Sequence, residues 1–290
     1  MSPDASLQVL LSRRHSSGGF LPQPESSRPR PDATGWAATA IRAAGGNAEV
    51  VQGARAHLVG EQSSSGGIQI GPEHSRVYWP TAIALLAWHG WKEGAAAAEK
   101  ALKFLDEVPA LQKAPDPLNA INPRLKGWSW ISGSSCWVEP TALTLFALTR
   151  YGRNTARTKD AVRLLQDREL PRGGWNYGST LVYGTELLPT EETVGVALTA
   201  LANHLGDETP RSVAWLEERF SSLRTPLSLA WGILGLAAWN RRPAHADEAI
   251  VKCLARQEVV GPFDTSHLAL LLLAAHCPRG LAQLFTDEKP

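Results

Sequence analysis

Two kinds of helical segment alternate along the chain. In "AAAAEKALKFLDEV", "TKDAVRLLQDREL" and "ADEAIVKCLARQ", apolar residues recur at helical spacing and charged residues fill the other positions. Such segments are typical of amphipathic helices with one face in water. In "WPTAIALLAWHG" and "TPLSLAWGILGLAAW", nearly every side of the helix is apolar or small, which predicts burial. The alternation therefore predicts an all-α protein in which amphipathic helices cover buried ones.

Two linked motifs recur in this pattern. A helix end with Gln or Arg runs into a glycine turn followed by a large apolar residue, as in "LLSRRHSSGGFLPQ", "LVGEQSSSGGIQIG" and "LLQDRELPRGGWNYG". A helix start with Thr or Ser follows, as in "PDATGWAATAIRAAG", "EPTALTLFALTRYG" and "TEETVGVALTALANHLG". The mean spacing of about 48 residues matches a helix pair with its turns. The equivalent positions in the second motif are Thr34, Thr81, Thr141, Thr193, Ser228 and Ser266.

These repeats predict one domain over residues 1–290, an (α/α)6 toroid. Six buried inner helices would surround a central apolar cavity, and six outer helices would face water. An open helical solenoid is the alternative, but its concave face does not suit inner helices that are apolar on so many sides. We expect repeats at 1–45, 46–91, 92–152, 153–206, 207–241 and 242–278, with a C-terminal tail at 279–290.

The "LLxxQxxxGGW" turn and the "PxxTxxALxAL" helix start resemble the prenyltransferase and squalene-cyclase repeat family, including its QW-type motifs, across essentially the entire chain. The resemblance implies the same toroid, with a cavity that opens at the N-terminal ends of the inner helices. It implies less about activity, because one fold hosts many functions.

Class II terpene cyclases of this family carry DxDD or DxDTT at an inner-helix start, and the middle aspartate protonates an alkene or epoxide. "PTEET" at 189–193 is similar in register and puts Glu191 on the acid position. "RPDAT" puts Asp32 there and "PFDTS" puts Asp264 there, and all three copies lack the leading aspartate. The resemblance therefore implies Glu191 as the leading catalytic acid, with Asp32 and Asp264 as alternatives. Glu192 is assigned to the helix end.

Protein prenyltransferases instead hold zinc with Asp, Cys and His. "DTSH" at 264–267 looks like their final DxxH element, with His267 on the ligand position. The preceding repeat, "TPLSLAWG", lacks the Asp-x-Cys element, and the basic diphosphate-binding run is absent. We therefore predict no metal site and no other cofactor.

Acids recur two positions before the Thr or Ser of the helix starts. Carboxylates at helix N-termini satisfy free amides and complement the helix dipole by about 0.3–1 kcal/mol, which accounts for any one acid taken singly. Several carboxylates around an apolar cavity would raise each other's pKa and keep at least one protonated. Alkene protonation requires such a group. The four acids are Asp32, Glu139, Glu191 and Asp264.

Aromatic residues gather at the turns and at the starts of the inner helices. Cation–π contacts of roughly 0.5–2 kcal/mol each would stabilise carbocations. Trp128 and Trp175 are assigned to packing between repeats, as QW tryptophans are in the family. The loop "TLVYGTELLP" at 180–189 is a candidate lid. The expected substrate-binding residues are Trp36, Trp79, Trp137, Glu139, Tyr177, Tyr183, Trp231 and His267.

The expected function is terpenoid-cyclase-like conversion of an isoprenoid or other apolar chain, started by a carboxylic acid. A non-catalytic toroid that binds a lipid, an isoprenoid or a partner is the second hypothesis, because the catalytic motifs are incomplete. A glycan-active α/α barrel with two carboxylates is the third. Its weakness is that the inner helices carry few of the polar residues that sugar clefts use.

Composition narrows the compartment and the partners. The chain has 29 Lys and Arg against 28 Asp and Glu, a formal charge of +1, so it has no general attraction for nucleic acid. Its three cysteines are widely spaced, which argues against a disulfide framework. Neither a secretory signal nor a membrane-spanning run is recognised. We expect a cytoplasmic protein with an apolar small-molecule substrate. Peripheral membrane contact and the oligomeric state are left open.

Overall fold

The computed structural model describes residues 1–111, 121–205 and 211–286. Within these ranges the chain is helical, apart from one hairpin of strands β1 (Leu181–Val182) and β2 (Thr185–Glu186). Short 3₁₀ turns lie at Lys92–Gly94, Phe220–Ser222 and Leu281–Phe285. The α-helices are α1 (Pro3–Ser12), α2 (Pro31–Ala43), α3 (Ala48–Gly60), α4 (Pro80–Trp88), α5 (Ala95–Glu107), α6 (Val138–Arg150), α7 (Ala156–Asp167), α8 (Glu191–Leu201), α9 (Arg211–Arg219), α10 (Pro226–Ala238), α11 (Ala246–Ala255), α12 (Gln257–Val260) and α13 (Thr265–His276).

The helices that are apolar on all sides form a closed inner ring. In ring order they are α2, α4, α6, α8, α10 and α13, and α13 packs back against α2. The amphipathic helices cover this ring from outside: α3 packs on α2, α5 on α4, α7 on α6 and α9 on α8, while α11 packs on α10 and α13, and α1 on α13. The predicted all-α toroid is therefore confirmed. The repeat boundaries stay a prediction, and the one at 206/207 lies outside the described residues, as does the tail from 287 onward.

The recurring threonine joins a glycine turn to the start of an inner helix. In three repeats, its Oγ1 accepts a hydrogen bond from the backbone N–H of the large apolar residue that follows the glycines. The turn is thereby attached to the helix that it precedes, which explains why the two motifs recur together. The pairs are Phe20–Thr34, Ile68–Thr81 and Trp128–Thr141, at 2.9, 2.9 and 3.0 Å.

The turn tryptophans connect the turns to the outer helices. The indole Nε1 of Trp128 donates to the carbonyl of Leu105 at 2.9 Å, and that of Trp175 donates to the carbonyl of Leu165 at 2.6 Å. Both carbonyls lie in the last turn of an outer helix, where backbone acceptors lack partners within the helix. The guanidinium of Arg157 also lies 4.6 Å from the centroid of a Trp128 ring. These contacts agree with the packing role expected for both tryptophans.

The middle of the ring is filled by side chains. The rings of Trp36 on α2 and Trp231 on α10 meet edge to face with centroids 5.8 Å apart, and both residues are 4% exposed. Because α2 and α10 are separated by α13 in the ring, this contact spans its interior. Where the sequence predicts a central apolar cavity, two indoles are in contact at this level.

Helices α8 and α10 pack closely because two glycines face the neighbouring backbone. A Cβ on Gly195 would lie 2.3 Å from the carbonyl oxygen of Trp231, and a Cβ on Gly235 would lie 2.7 Å from that of Gly195. No side chain fits at either contact, so the two helices are held at a short and defined separation. No helix within the described ranges combines the length and hydropathy needed to cross a bilayer.

Candidate functional site

The N-terminal ends of the inner helices carry the acids that the sequence analysis singled out. We call this end of the ring the N-terminal face. Hydrogen bonds join helix starts across it, from Ser266 on α13 to Asp32 on α2 and from Ser228 on α10 to Glu192 on α8. The acidic residues at these helix starts are Asp32, Glu139, Glu191, Glu192 and Asp264.

Asp32 is held in an ion pair. Arg30 Nε lies 2.6 Å from Asp32 Oδ1, and Arg30 Nη2 lies 2.8 Å from Oδ2. The Ser266 hydroxyl also donates to Oδ2 at 3.3 Å, and Asp32 is 2% exposed. Burial alone would lower the pKa of Arg30, but its hydrogen bond to Asp32 and the Asp32 charge raise it overall. Both oxygens of Asp32 are thus engaged by donors, which suits a fixed ion pair better than proton delivery.

Asp264 caps the start of α13. Its Oδ1 accepts a hydrogen bond from the backbone N–H of His267 at 2.8 Å, as an N-cap carboxylate does. The imidazole of His267 also lies close, with Nδ1 3.5 Å from the same oxygen. The two residues therefore pair with each other at a helix end. Among the described residues, no three His, Cys, Asp or Glu side chains converge as metal ligands.

Glu139 and Glu192 form an acid pair across α6 and α8. Glu192 accepts a hydrogen bond from the Ser228 hydroxyl at 3.0 Å, while no donor among the described residues reaches the Glu139 carboxyl group. Burial first, and then the negative charge of Glu192, raise the pKa of Glu139 to about 7. A carboxyl group with this pKa gains and loses its proton near neutral pH, so Glu139 is the member of the pair that can hold a proton there.

Glu191 and Glu192 differ in their contacts although they are adjacent. Glu191 is half-buried in the first turn of α8, and no donor among the described residues bonds its carboxyl group. Glu192 lies in the first turn of α8, the helix end to which the sequence assigns it, and its carboxylate also accepts a hydrogen bond from Ser228 of the next inner helix. The sequence analysis missed the acid pair because it compared equivalent repeat positions. The doubled glutamate was the available signal, since two adjacent helical residues point in different directions.

The expected tryptophans lie at two places, in the middle of the ring and at its N-terminal face. Trp36 and Trp231 fill the middle of the ring, as described above. Trp79 lies at the N-terminal face, at the start of α4. Its ring packs edge to face on that of Trp130, with centroids 5.5 Å apart. Trp130 is one of the aromatic residues that gather at the turns, but it is not among the expected substrate-binding residues. Trp137 precedes α6 and is half-buried, placing it two residues from Glu139.

The two expected tyrosines lie at the surface. Tyr177 is 53% exposed, and its carbonyl accepts the N–H of Val138 at the start of α6. Tyr183, at the tip of the β1–β2 hairpin, is 98% exposed. The structure therefore does not bring Tyr183 together with the acids, although the hairpin belongs to the loop proposed as a lid.

A small cavity has Pro140, the residue that follows Glu139, in its lining. A cavity of about 20 Å³ lies between α4, α5 and α6, and Trp79, Trp128, Pro140 and Thr144 are among its lining residues. Such a cavity holds about one water molecule. A long apolar ligand therefore does not fit in it.

Comparison with known proteins identifies the fold. No family model matches the chain, and no curated protein matches it significantly in sequence. A protein from Actinoplanes is similar in structure, with a TM-score of 0.64 and 15% identity over 96% of this chain and 99% of that one. An alpha-amylase from Clostridium perfringens has a TM-score of 0.66 and 11% identity, over 95% of this chain and 97% of that one. The type II terpene cyclase MstE from Scytonema has a TM-score of 0.61 and 16% identity, over 94% of this chain and 97% of that one. At these identities the similarity shows one thing, that the chain has the α/α toroid fold.

Proposed function

We propose that the protein is a terpenoid-cyclase-like enzyme that protonates an isoprenoid or similar apolar chain. The observation that carries this proposal is the position of Glu139, in the first turn of inner helix α6 with no donor among the described residues bonded to its carboxyl group. Burial and the charge of Glu192 raise its pKa to about 7. An ordinary glutamic acid is almost fully ionised at neutral pH, whereas a carboxyl group with a pKa raised this far can still carry its proton there. A variant of the structural neighbour MstE is bound to geranylgeranyl dihydroxybenzoate, which supports a long isoprenoid chain as the substrate class.

In this proposal Glu139 is the catalytic acid. Its O–H bond breaks, and the proton adds to one carbon of an alkene. The alkene's π electrons form the new C–H bond, which leaves a carbocation on the other carbon and a carboxylate on Glu139. The indoles of Trp79, Trp130 and Trp137 stand near the start of α6 and would stabilise the cation. Loss of a proton from the rearranged cation to the carboxylate gives an isomer of the substrate and restores the acid.

The substrate would lie at the N-terminal face. The middle of the ring is occupied by Trp36 and Trp231, and the cavity beside Pro140 holds about one water. The polar side chains of the same face would position a substrate head group. Arg30 and His267 are partly exposed there, in contact with Asp32 and Asp264 respectively.

The test is product analysis with matched isosteric variants. Purified protein is incubated with farnesyl and geranylgeranyl alcohols, their diphosphates and prenylated hydroxybenzoates, and mass spectrometry detects new isomers of unchanged mass. Glu139→Gln should lower turnover by roughly 100- to 10,000-fold, as loss of a general acid does. Glu191→Gln and Asp32→Asn are the comparison variants. Full activity in Glu139→Gln with loss in Glu191→Gln would move the acid to Glu191, the residue that the sequence ranks first.

A glycan-active barrel is a second candidate, because a protonated Glu139 beside an ionised Glu192 also suits acid–base hydrolysis. Reducing-sugar release from malto-oligosaccharides tests it. Hydrolysis there requires both carboxyl groups, so Glu139→Gln and Glu192→Gln should both abolish it. A non-catalytic toroid predicts a third result: the wild type and Glu139→Gln bind the same apolar ligand and return it unchanged.

A further inference from the structure

We propose that Ser228 is a positioning residue that holds the negative charge of the acid pair on Glu192 and so leaves the proton on Glu139. The inference rests on the function proposed for Glu139, because it explains how that acid is kept ready. Ser228 lies on α10, whereas the two acids lie on α6 and α8. It acts through Glu192 and need not touch the substrate.

The hydrogen-bond chain at the start of α10 has a defined direction. Thr225 is the N-cap, and its Oγ1 accepts the backbone N–H of Ser228 at 3.1 Å. The same Oγ1 lies 2.9 Å from Ser228 Oγ, which lies 3.0 Å from Glu192 Oε2. An ionised carboxylate only accepts hydrogen bonds, so the Ser228 hydroxyl must donate to Glu192. Thr225 in turn donates to Ser228. Reversing the chain would require a proton on Glu192.

The surroundings of these hydrogen bonds also stabilise a negative charge on Glu192. Ser228 is 8% exposed, so the bond to Glu192 is shielded from water. Glu192 lies in the first turn of α8 and beside the first turn of α10, where helix dipoles favour a negative charge. The close contact of Gly195 with Trp231 holds these two helices at a defined separation. Glu139 lies in the first turn of α6, but no donor among the described residues bonds its carboxyl group, so only Glu192 of the two acids receives a hydroxyl.

The elements around the pair differ in the titratable groups that they carry. Helices α4 and α10 contain none, and α8 adds Glu191 beside Glu192. The helices packed on α8 and α10 add Arg211, Glu217, Glu218 and Arg219 on α9, Asp247, Glu248, Lys252 and Cys253 on α11, and His267 and His276 on α13. Cys136 precedes α6, and the loop before α8 carries Tyr177, Tyr183 and Glu186. On α7, the guanidinium groups of Arg157 and Arg168 bond to the carbonyls of Gly127 and Gly178. The α7 acids are Asp160, which pairs with Arg163, and Asp167, which pairs with Arg168, and Lys159 lies on the same helix.

The test is residue-specific titration of the full chain without substrate. Glutamate labelled with 13C at its side-chain carboxyl carbon reports each group by NMR, and Glu139→Gln and Glu192→Gln assign the two signals by their loss. Ser228→Ala should raise the titration midpoint of Glu192 by about one pH unit, the equivalent of one hydrogen bond to a charged group. It should also lower the protonated fraction of Glu139 near pH 6, because the proton is then shared. Ser228→Thr keeps the hydroxyl and should restore the wild-type curves.

Ser266→Ala is the matched control, since Ser266 occupies the equivalent repeat position and donates to Asp32. It should leave the midpoint of Glu192 unchanged. An unchanged midpoint in folded Ser228→Ala protein would overturn the inference. If Ser228→Ala does not fold, Glu192→Gln decides: an unshifted Glu139 titration there would show that the pair is uncoupled. Because no turnover is measured, a shifted midpoint in a protein inactive on every substrate would uphold the inference and reject the proposed function.

Discussion

The two ends of the inner ring bury charge of opposite sign and differ in how completely that charge is bonded. At the C-terminal ends, Arg42 donates to the carbonyls of His89 and Leu284, and Arg55 donates to those of Ala87 and His89. These cations meet the negative ends of the helix dipoles and fill acceptors that the helices leave open. At the N-terminal face, Asp32 and Asp264 are similarly engaged, but Glu139 is not.

At each end, burial shifts the pKa of a charged group in the direction that favours its neutral form. Burial and the neighbouring charge of Arg55 lower the pKa of Arg42 to about 10, and burial and Glu192 raise that of Glu139 to about 7. At neutral pH Arg42 still carries its charge, whereas Glu139 lies close to its pKa and exchanges its proton. The same desolvation therefore gives a permanent charge at one face and a proton-exchanging group at the other. A site for proton transfer is expected only where the shifted pKa reaches the working pH.

The largest expected effect breaks the packed C-terminal end. Phe285 is 5% exposed, contacts the rings of His89 and Phe146, and lies under the guanidinium of Arg42. We expect Phe285→Ala to lower the free energy of unfolding by about 3–5 kcal/mol, as truncating a buried aromatic residue does. Urea unfolding measures it. Tyr183→Ala, at a 98% exposed position, should change stability by less than about 0.5 kcal/mol. Equal effects of the two variants would contradict the packed arrangement.

The next effect tests the buried acid at the N-terminal face. The carboxyl group of Glu139 has a pKa of about 7 when folded against an ordinary value of 4.5. The folded state therefore binds this proton more tightly, and the resulting stability is complete below pH 4.5 and is lost as the pH rises through 7. Between those limits, the wild type should lose up to about 3 kcal/mol relative to Glu139→Gln. Unfolding curves of both proteins at pH 4.5, 6 and 8 give the difference. If the difference in unfolding free energy between the two proteins does not change with pH, the pKa of Glu139 is not raised.

A smaller effect tests how the N-terminal face is supported. Gly195→Ala places a Cβ 2.3 Å from the carbonyl oxygen of Trp231, so α8 and α10 must move apart. We expect a loss of about 1–3 kcal/mol, typical of overpacking, and a weaker bond between Ser228 and Glu192. Gly60→Ala is the control, because a Cβ at that helical position has no heavy atom within 4 Å. It should be neutral or slightly stabilising. Unchanged stability in Gly195→Ala would show that the helices have room to separate.

The smallest effect concerns the remaining acid. Glu191 is half-buried and no described donor bonds its carboxyl group, so Glu191→Gln should change the free energy of unfolding by less than about 0.5 kcal/mol at pH 6 and pH 8. Differential scanning calorimetry at both pH values measures it. If the wild type loses stability relative to Glu191→Gln as the pH rises, the raised pKa belongs to Glu191 and not to Glu139.

The sequence by itself determined the helices, their alternation and the turns that connect them. These features depend on local spacing: an apolar period of 3.6 residues predicts a helix, and the number of apolar sides predicts its burial. The recurring threonine could be found in the same way, and the structure explains it by the hydrogen bond that the backbone N–H of Trp128 donates to Thr141 Oγ1. The acids at the helix starts were also visible, since helix N-termini are local features.

Only the tertiary structure decided which acid keeps a proton. Glu139 and Glu191 occupy equivalent repeat positions, and periodicity cannot distinguish them. The pKa of Glu139 is raised first by burial among the packed helices and then by the charge of Glu192 on the neighbouring helix. Glu192 in turn accepts a hydrogen bond from Ser228, far along the chain. A pKa depends on desolvation and on the distances to other charges, and both are set by the packing of helices around the ring.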